Sequence, residues 1–261
     1  MKQANPTDQH ELSVRQFGST AENYLTSAVH SAGADLERLT ECARSSPDSA
    51  VLDLGCGAGH ASFALARGGA RRIVAYDPAA RMLEVVRREA AARGHARIET
   101  LAGPAEQLAC EDASFDCVVT RYSAHHWVDV RRAFEEIGRV LKPGGRIIVI
   151  DVLAPENPLF DTALQTVELL RDRSHVRNYR ESEWRAMLRA ANFSEPTTLR
   201  WKLPMLFDAW VARIGTSAAR IDALKTVLDE LPFEAREYFA VTGDHSFAID
   251  SGWLEGTKAA S

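Results

Sequence analysis

Apolar runs alternate with segments of helical periodicity along the first 151 residues of the chain. Four runs rich in aliphatic and β-branched residues cover positions 50–54, 72–76, 117–120 and 146–150, and a weaker fifth covers 97–101. Continuous apolar runs of this length are typical of parallel strands that are buried on both faces. They therefore predict five strands of one sheet.

Helical periodicity fills the gaps between these runs. One helix is predicted where Met82, Val86 and Ala90 recur at four-residue steps, with Gly94 as its stop. A second apolar helix face over 130–141 ends at the Pro-Gly-Gly of 143–145. Later strand candidates at 197–203 and 246–249 bring the total to seven. The alternation predicts an α/β fold, a Rossmann-like, doubly wound, seven-stranded and mostly parallel sheet with a helical cap.

The chain is predicted to form one structural domain in three parts. Residues 1–45 read as helices ahead of the first strand, and we expect them to form an N-terminal lid. Residues 46–155 form the core of the sheet, and residues 156–261 supply helical cap insertions and the last two strands. We expect the helices to cover the carboxyl ends of the strands, where open α/β sheets bind ligands.

The composition is that of an ordinary globular protein. Of 261 residues, 46% are hydrophobic and 26% are charged, which argues against fibrous and largely disordered classes. The formal net charge of −5 has the wrong sign for non-specific binding to nucleic acid phosphates. The chain is therefore expected to act on a small molecule and not on nucleic acid.

Cysteine usage and apolar run length predict a cytoplasmic location. The four cysteines form no C-x-x-C pair and no zinc spacing, which favours reduced thiols. Residues 1–8 have no apolar core of the kind that directs secretion. The longest apolar run starts at Ile147 and is too short to span a bilayer. We expect a monomer or homodimer without a membrane partner.

A glycine-rich loop follows the first predicted strand. Gly55, Gly57 and Gly59 stand at alternate positions between that strand and a predicted helix. A dinucleotide-binding fingerprint would need its third glycine at position 60, which is His60, and a phosphate-binding P-loop would need a lysine. The loop is therefore predicted to let a ligand without a pyrophosphate approach the backbone closely.

Four ordered segments resemble a known family. They are the glycine loop at 53–59, an acidic strand end and helix start at 76–83, a strand start at 114–119, and the Arg-Val-Leu-Lys-Pro-Gly-Gly of 139–145. Together they resemble class I S-adenosylmethionine-dependent methyltransferases over residues 45–155. The similarity is strongest to the small-molecule branch related to quinone C-methyltransferases. The resemblance implies S-adenosyl-L-methionine as the cofactor. No metal is expected, because no set of ligands with metal-binding spacing is present in the sequence.

The resemblance also implies which residues bind the cofactor. The three loop glycines would contact its methionine part and ribose, and Asp53 would orient the loop or bind the amino group through water. Asp77 would accept hydrogen bonds from both ribose hydroxyls. Its alternative role, an N-cap before Pro78, is compatible with this one. Met82 would pack on the adenine face. The remaining implied cofactor contacts are Cys56, Pro78, Ala105, Glu106, Arg121 and Tyr24.

One position departs from the family pattern. The family usually has an acidic residue before an Ala-Glu pair after the third strand, where it accepts the adenine amino group. Pro104 occupies this position here and has no side-chain acceptor. Adenine recognition would therefore fall to the backbone of Ala105 and Glu106, or to another group.

Two adjacent histidines follow the fourth predicted strand, beside the expected methyl donor. His125 or His126 would act as a general base, since imidazole titrates near neutral pH. The alternative is that both are structural, one in packing and one at a helix start near Asp129. A metal site that adds His175 or Asp151 is less favoured, because no third ligand is close in sequence.

Aromatic residues and an arginine are candidates for substrate binding. Tyr24 resembles a lid residue that closes over the sulfonium, and Trp127 follows the two histidines. Trp210 and Arg213 are three residues apart and would share a helix face, where they could bind an anionic acceptor. For Tyr24, packing in a helical core is an equally good interpretation.

The predicted function is methyl transfer from S-adenosylmethionine to an oxygen, nitrogen or carbon atom of a small organic acceptor, by in-line displacement. One alternative is a non-catalytic regulator that binds the same cofactor. A nucleic-acid methyltransferase is disfavoured, because residues 121–124 lack the Asn/Asp-Pro-Pro-Tyr/Phe type of tetrad. A nicotinamide dehydrogenase is the weakest alternative because of His60.

Overall fold

A computed structural model describes residues 8–26 and 32–260 of the chain. Residues 1–7 and 27–31 of the predicted lid lie outside the described residues, as does most of the segment on which the absence of a secretion signal was predicted. The strands are β1 Ala50–Leu54, β2 Arg72–Asp77, β3 Ile98–Ala102, β4 Phe115–Arg121, β5 Leu141–Ala154, β6 Tyr179–Arg180, β7 Thr197–Met205 and β8 Phe247–Thr257.

One continuous sheet organises the described part of the chain. Its strand order is β3-β2-β1-β4-β5-β8-β7, and the short β6 pairs with the end of β5. The first five strands are mutually parallel, whereas β8 runs antiparallel to both β5 and β7. The predicted seven-stranded, mostly parallel sheet is confirmed. The two-residue β6 was not predicted, since a run so short has no periodicity to read.

Helices cover both faces of the sheet and its carboxyl edge. They are α1 Gln9–Thr26, α2 Ala34–Arg44, α3 His60–Gly68, α4 Ala80–Ala92, α5 Val130–Val140, α6 Pro158–Arg171, α7 Glu181–Ala190, α8 Phe207–Ile214, α9 Ala218–Asp229 and α10 Phe233–Tyr238. A short 3-10 helix covers Ala124–His126. Among these described helices, none is long and apolar enough to cross a membrane.

The alternating side chains of the strands build two apolar layers. Val74 and Tyr76 of β2 point into the layer that α5 and α7 complete. Ile73 points the other way, into the layer that α2 and α3 complete. Only one of the two described helices before β1 covers the carboxyl edge, because α2 packs against α3 beside the sheet.

The last strand is longer than its sequence indicates. The apolar run predicted at 246–249 extends to Thr257, through Ser251, Gly252 and Gly256. These small residues suit a crowded position: a Cβ added to Gly252 would lie 2.6 Å from Leu153 Cδ1 of the neighbouring strand. Close contact between strands, and not strand propensity, decides this part of β8.

Helix α1 lies across the carboxyl edge of the sheet as the only described part of the predicted lid that reaches it. Its Ala21 is buried with Met82 and Val85 of α4, and Phe17 and Tyr24 pack against the same cluster. At its other side, the Gln16 side chain donates to the Ile214 carbonyl of α8 at 2.7 Å. The helix thus bridges the core and the cap above the strand ends.

Candidate active site

A large cleft opens at the carboxyl ends of β1, β2 and β4, beneath α1. Its empty volume is about 1010 Å³, open mouth included. This position is where open α/β sheets generally bind ligands. The lining residues are His10, Ser13, Phe17, Tyr24, residues 53–58, His60, Ala61, residues 77–79, Met82, residues 103–106, residues 121–123, His126 and Trp127.

The glycine loop is held to β2 by its backbone. The amides of Gly55 and Cys56 both donate to the Tyr76 carbonyl, at 2.8 and 3.0 Å. Gly57 has a positive φ of 50° and donates its amide to Asp77 Oδ2 at 2.9 Å. A Cβ built on Gly57 would meet no protein atom within 4 Å, so its open side faces the cleft.

The other two loop glycines serve packing. A Cβ on Gly55 would fall 1.7 Å from Ser123 Oγ, which closes this side of the loop, although the residue still lines the cleft. Gly59 is outside the set of described lining residues. Its Cβ would lie 2.9 Å from Val86 Cγ2, so this glycine lets α3 approach α4. The structure thus gives Gly59 a packing role, and its predicted contact with the cofactor stays a prediction.

Asp53, at the floor of the cleft, is 1% exposed. Its Oδ2 accepts hydrogen bonds from the Ser62 amide at 2.8 Å and hydroxyl at 2.6 Å, which fixes the start of α3. Its Oδ1 is buried without a partner among the described residues. Burial raises the pKa of this carboxyl to about 6, despite the two bonds from Ser62.

Asp77 ends β2 and turns the chain toward α4. Its Oδ1 accepts from the Ala79 amide at 2.8 Å, and its Oδ2 holds Gly57. The N-cap position of α4 is Ala79, so the predicted N-cap role of Asp77 is wrong, and the carboxylate instead closes the turn before the helix. Burial raises the pKa of Asp77 to about 6.

The wall beyond Asp77 is mostly apolar. Pro78 and the buried Met82 line it, together with Pro104 and Ala105. Glu106 also lines the cleft, but its Oε1 accepts from the amides of residues 128 and 129, at 2.8 and 3.1 Å. That oxygen is engaged at the start of α5 and does not replace the acidic residue that the family pattern has at position 104.

Arg121 lies at the end of β4 and lines the cleft. Its Nε donates to Asp35 Oδ2 of α2 at 2.5 Å, and both side chains are buried. The guanidinium also lies over the Tyr122 ring, 4.9 Å from its centroid. Asp35 was missed by sequence reasoning, because nothing in the spacing of residues 35 and 121 indicates contact.

The two adjacent histidines have different surroundings. His126 lines the cleft, whereas His125 lies behind it with Nδ1 2.6 Å from Asp151 Oδ1. Burial opposes a charge on His125, but the negative Asp151 and its hydrogen bond outweigh it and raise the pKa of His125. Burial and the positive His125 lower the pKa of His126.

Tyr24 and Trp127, which were predicted to contact a ligand, both line the cleft. The Tyr24 carbonyl accepts a hydrogen bond from His60 Nε2 at 3.0 Å, which fastens α1 to α3. The Trp127 indole donates to Ser123 Oγ at 3.2 Å, and the ring is 7% exposed. His60 thus has a structural role that its place in the glycine motif did not indicate.

Trp210 and Arg213 are not part of the cleft wall that the described residues form. Trp210 is 1% exposed, with its ring against Phe247 at 5.0 Å between centroids. The guanidinium of Arg171 lies over it at 5.2 Å. The predicted substrate-binding role of Trp210 is corrected to a core role in the cap, because an apolar helix face and a substrate stack have the same spacing.

Three lining residues of α1 were missed. His10, Ser13 and Phe17 lie on the helix that also carries Tyr24. The four-residue spacing of Ser13 and Phe17 indicates that they share one face of the helix. It does not indicate what that face contacts, so the sequence alone could not place these residues in the cleft. Within residues 8–26 and 32–260, no group of three His, Cys, Asp or Glu residues is arranged to hold a metal ion.

Comparison with known proteins identifies the same region. Residues 52–149 match the family described as methyltransferase domain. YafE of Escherichia coli, named as an uncharacterized protein, is 47% identical over 72% of this chain and 91% of its own length. A demethylmenaquinone methyltransferase of Clavibacter sepedonicus is 42% identical over 42% of this chain and 43% of its own.

One relative covers almost the whole chain. YcgJ of Bacillus subtilis, named as an uncharacterized methyltransferase, is 36% identical over 93% of this chain and 97% of its own length. Its crystal structure superposes with a TM-score of 0.82 at 35% identity, over 87% of this chain and 98% of that one. This chain therefore belongs to the class I S-adenosylmethionine-dependent methyltransferases and is an enzyme with S-adenosylmethionine as its cofactor.

Proposed function

We propose that this enzyme transfers the methyl group of S-adenosylmethionine to a small organic acceptor, by in-line displacement. The observation that carries the proposal is that the cleft lining falls into two sets. One set, at the ends of β1 to β4 and including Tyr24 of α1, contains the residues that the family resemblance assigns to the cofactor. The other set was not assigned to the cofactor and comes from α1 and from residues 123–127, here called the histidine turn: His10, Ser13, Phe17 and His126.

The first set suits the chemistry of the cofactor. The unpartnered Oδ1 of Asp53 can accept from an ammonium group, directly or through water. The open side of Gly57 leaves room for a ligand against the backbone. The Asp77 carboxylate keeps acceptor capacity for ribose hydroxyls beside the two amides it holds, since each oxygen has a second lone pair. Met82 and Pro78 offer an apolar surface to adenine.

The chain's own contribution is orientation and exclusion of water. When bound, S-adenosylmethionine supplies a methyl group on a positively charged sulfur. Helix α1 lies over the strand ends, fixed by His60 at 3.0 Å on one side and by the Gln16–Ile214 contact on the other. Holding two reactants in line contributes about 7–11 kcal/mol in favourable systems. The aromatic rings of Phe17, Tyr24 and Trp127 favour a site of low polarity for the sulfonium.

The acceptor is proposed to be small because α1 and the cap leave a cleft and not an open groove. The Clavibacter relative is named as a demethylmenaquinone methyltransferase, which indicates a small-molecule substrate in that protein. The net charge of −5 favours the same class over nucleic acid. Of the histidine candidates, we assign substrate contact to His126, since it lines the cleft and His125 does not. We also propose that the enzyme acts in the cytoplasm.

Calorimetry with S-adenosylmethionine and S-adenosylhomocysteine tests the cofactor part of the proposal. We expect saturable binding, weakened about tenfold or more by Asp77→Ala, because each hydrogen bond to a charged group contributes about 1.5–3 kcal/mol. Asp112→Asn is the matched control, since this exposed carboxylate pairs with Arg139 before β4, at the opposite end of that strand. No binding of either compound would overturn the proposal.

Methyl transfer itself is tested with S-adenosylmethionine that carries a tritiated methyl group and a fractionated extract of small metabolites. We expect tritium to appear in a methylated metabolite that is distinct from the cofactor and its breakdown products. Loss of this labelled product in Asp77→Ala would show that the transfer depends on the proposed cofactor site. Tight cofactor binding with no transfer to any fraction would favour the alternative, a non-catalytic regulator.

A further inference from the structure

Three residues on one face of α1 lie against the histidine turn. Gln9, Ser13 and Phe17 are spaced by four residues and so share that face. The Gln9 amide donates to the Ser174 carbonyl at 2.6 Å, and the Phe17 ring meets the His126 ring edge-on, with centroids 4.7 Å apart. Ser13 lies between these two contacts, so its side chain is directed at the same region of the cleft as His126.

The Ser13 hydroxyl lacks a partner in this position. Ser13 is 9% exposed and lines the cleft, and its Oγ makes no hydrogen bond to any described residue. A buried hydroxyl without a partner is unfavourable, so a ligand that forms a hydrogen bond to it is favoured. Ser13 and His126 both line the cleft, and neither is among the residues assigned to the cofactor.

The tautomer of His126 follows from its neighbours. Its Nδ1 lies 3.0 Å from the Ser174 carbonyl oxygen. Because a carbonyl oxygen only accepts hydrogen bonds, the proton of the neutral ring is on Nδ1. The lone pair is therefore on Nε2, on the other side of the ring from Ser174.

A buried carboxylate oxygen lies near that lone pair. Asp172 Oδ1 accepts from the amide and the hydroxyl of Ser174, at 2.8 and 2.6 Å. Its Oδ2 is 3.9 Å from His126 Nε2 and has no hydrogen-bond partner among the described residues. A proton that arrives on Nε2 would thus create a cation beside a negative oxygen that is already in place.

Other charged and titratable groups also face His126. The His125 ring is 4.2 Å away between centroids, and its positive charge opposes a second one. Asp151, behind His125, acts in the opposite direction. The His175 ring lies 5.8 Å from the His125 ring between centroids, and the negative charges of Glu168 and Asp172 also raise the pKa of His125.

We propose that a hydroxyl group of the acceptor binds between Ser13 Oγ and His126 Nε2, and that His126 removes its proton during methyl transfer. Ser13 donates to the acceptor oxygen, and His126 accepts from it. Asp172 is a positioning residue that stabilises the imidazolium. This inference rests on the function proposed above and narrows its acceptor to a phenol-type or enol-type hydroxyl compound. Its O–H proton becomes strongly acidic as the oxygen–methyl bond forms, so a weakly basic imidazole is sufficient to accept it.

Proton removal and methyl transfer together break two bonds and form two. The O–H bond of the acceptor breaks, and its proton forms a bond to Nε2. The acceptor oxygen forms a bond to the methyl carbon while the carbon–sulfur bond breaks. The electron pair of the carbon–sulfur bond stays on sulfur. The products are a methyl ether, S-adenosylhomocysteine and an imidazolium that pairs with Asp172 and later returns its proton to solvent.

The first test is long-range ¹⁵N–¹H NMR of histidine-labelled protein saturated with S-adenosylhomocysteine, with His126→Gln to assign the signal. Near neutral pH we expect His126 to carry its proton on Nδ1. Asp172→Asn should lower the pKa of His126 further, and Asp112→Asn should leave it unchanged. A proton on Nε2 in the unmutated protein, or a His126 pKa that does not respond to Asp172→Asn, would overturn the proposal.

The second test uses catechol and hydroquinone as hydroxyl probes, with o-phenylenediamine as the matched amine. We expect tritium transfer to the hydroxyl probes, with kcat lowered about 10²–10⁴-fold in His126→Gln. Ser13→Ala should raise KM for the probe. Asp172→Asn should lower kcat and move the acidic limb of the pH–rate profile to lower pH, with unchanged affinity for S-adenosylhomocysteine.

The outcomes separate this inference from the function on which it rests. Transfer to the amine alone would overturn the hydroxyl acceptor and still support a methyltransferase. Transfer to no hydroxyl probe, or a wild-type rate in His126→Gln, would also overturn the inference. Absence of cofactor binding would overturn both.

Discussion

His125 donates from Nδ1 to Asp151 Oδ1 across 2.6 Å, in surroundings almost closed to solvent. The same carboxylate accepts from the Val152 amide at 2.8 Å and the Ala124 amide at 3.0 Å. Asp151 of β5 therefore holds the short helical turn after β4 in place. Because His125 is directed at β5, the next residue, His126, is the one that meets the cleft.

Loss of this pair should destabilise the fold most strongly at mildly acidic pH. Asp151→Asn is expected to cost about 3–5 kcal/mol there, since it leaves a buried histidine without its counter-charge. The folded pKa of His125 is raised, so its stabilising effect is full below the unfolded pKa and is lost as pH rises through the folded pKa. Urea unfolding over a pH series measures this.

The control for this prediction is Asp222→Asn, which changes an exposed carboxylate on α9. It should have almost no effect at any pH. A cost of Asp151→Asn that is the same from acidic to alkaline pH would mean that the charge of His125 has no part in it.

Cofactor affinity should fall as pH drops through about 6. Burial raises the pKa of both Asp53 and Asp77 to about 6. When protonated, Asp53 no longer has a negative charge to attract the ammonium group, and Asp77 has one fewer acceptor for the ribose hydroxyls. At about one pH unit below its pKa a carboxyl is about tenfold less ionised, so each required carboxylate weakens binding by about tenfold there. Calorimetry with S-adenosylhomocysteine over this range checks it, and flat affinity would contradict it.

The stability of the cofactor-free protein should change in the opposite direction. The folded state keeps protons on Asp53 and Asp77 that the unfolded chain, with a pKa near 3.8, releases. Stability from these groups is therefore lost as pH rises from about 4 to about 6. Thermal unfolding with and without S-adenosylhomocysteine separates the two effects.

Gly57→Ala should weaken cofactor binding beyond its cost in stability. Its Cβ would enter the open side of the loop, and the positive φ of 50° costs about 1–2 kcal/mol for a residue with a side chain. Gly69→Ala is the matched variant: φ is 95°, no atom lies within 4 Å of its Cβ, and it follows α3 away from the cleft. Unfolding and calorimetry should show similar stability losses but a binding loss in Gly57→Ala alone.

Trp210→Ala should behave as a core mutation of the cap. Removal of this buried ring from Phe247 and Arg171 is expected to cost about 3–5 kcal/mol in unfolding free energy. Affinity for S-adenosylhomocysteine should stay at the wild-type value at temperatures where the variant is folded. A large loss of affinity with little loss of stability would return Trp210 to the binding site.

Sequence patterns predicted the parallel part of the sheet closely. β1 has the predicted bounds, and β2 to β5 contain their predicted runs apart from one residue at the start of β3. The reason is that β1, β2, β4 and the later part of β5 are buried on both faces, which leaves a continuous apolar run, whereas the edge strand β3 is only partly buried and gave the weaker run. The same patterns understated β8, where Ser251 and Gly252 are buried by close contact between strands.

The candidate site was predictable where a ligand contact depends on the local backbone. The loop of Gly55 and Gly57 and the strand-end carboxylates Asp53 and Asp77 all line the cleft, because a strand end followed by a helix start places them together. Contacts between distant segments were not predictable. Asp35 pairs with Arg121 across 86 positions, and Ser13 approaches the histidine turn only through the docking of α1.

The sequence by itself determined the fold class, the family, the cofactor loop and the pair of histidines, since these depend on residue order and on period. Only the tertiary structure decided which histidine lines the cleft, against which residues Gly59 and Trp210 pack, and that α1 supplies the second set of lining residues. The physical reason is that a buried side chain and a ligand-facing one have the same spacing along a helix. Whether such a side chain contacts the core or a ligand depends on what lies opposite its helix face, and that is decided by packing between distant segments of the chain.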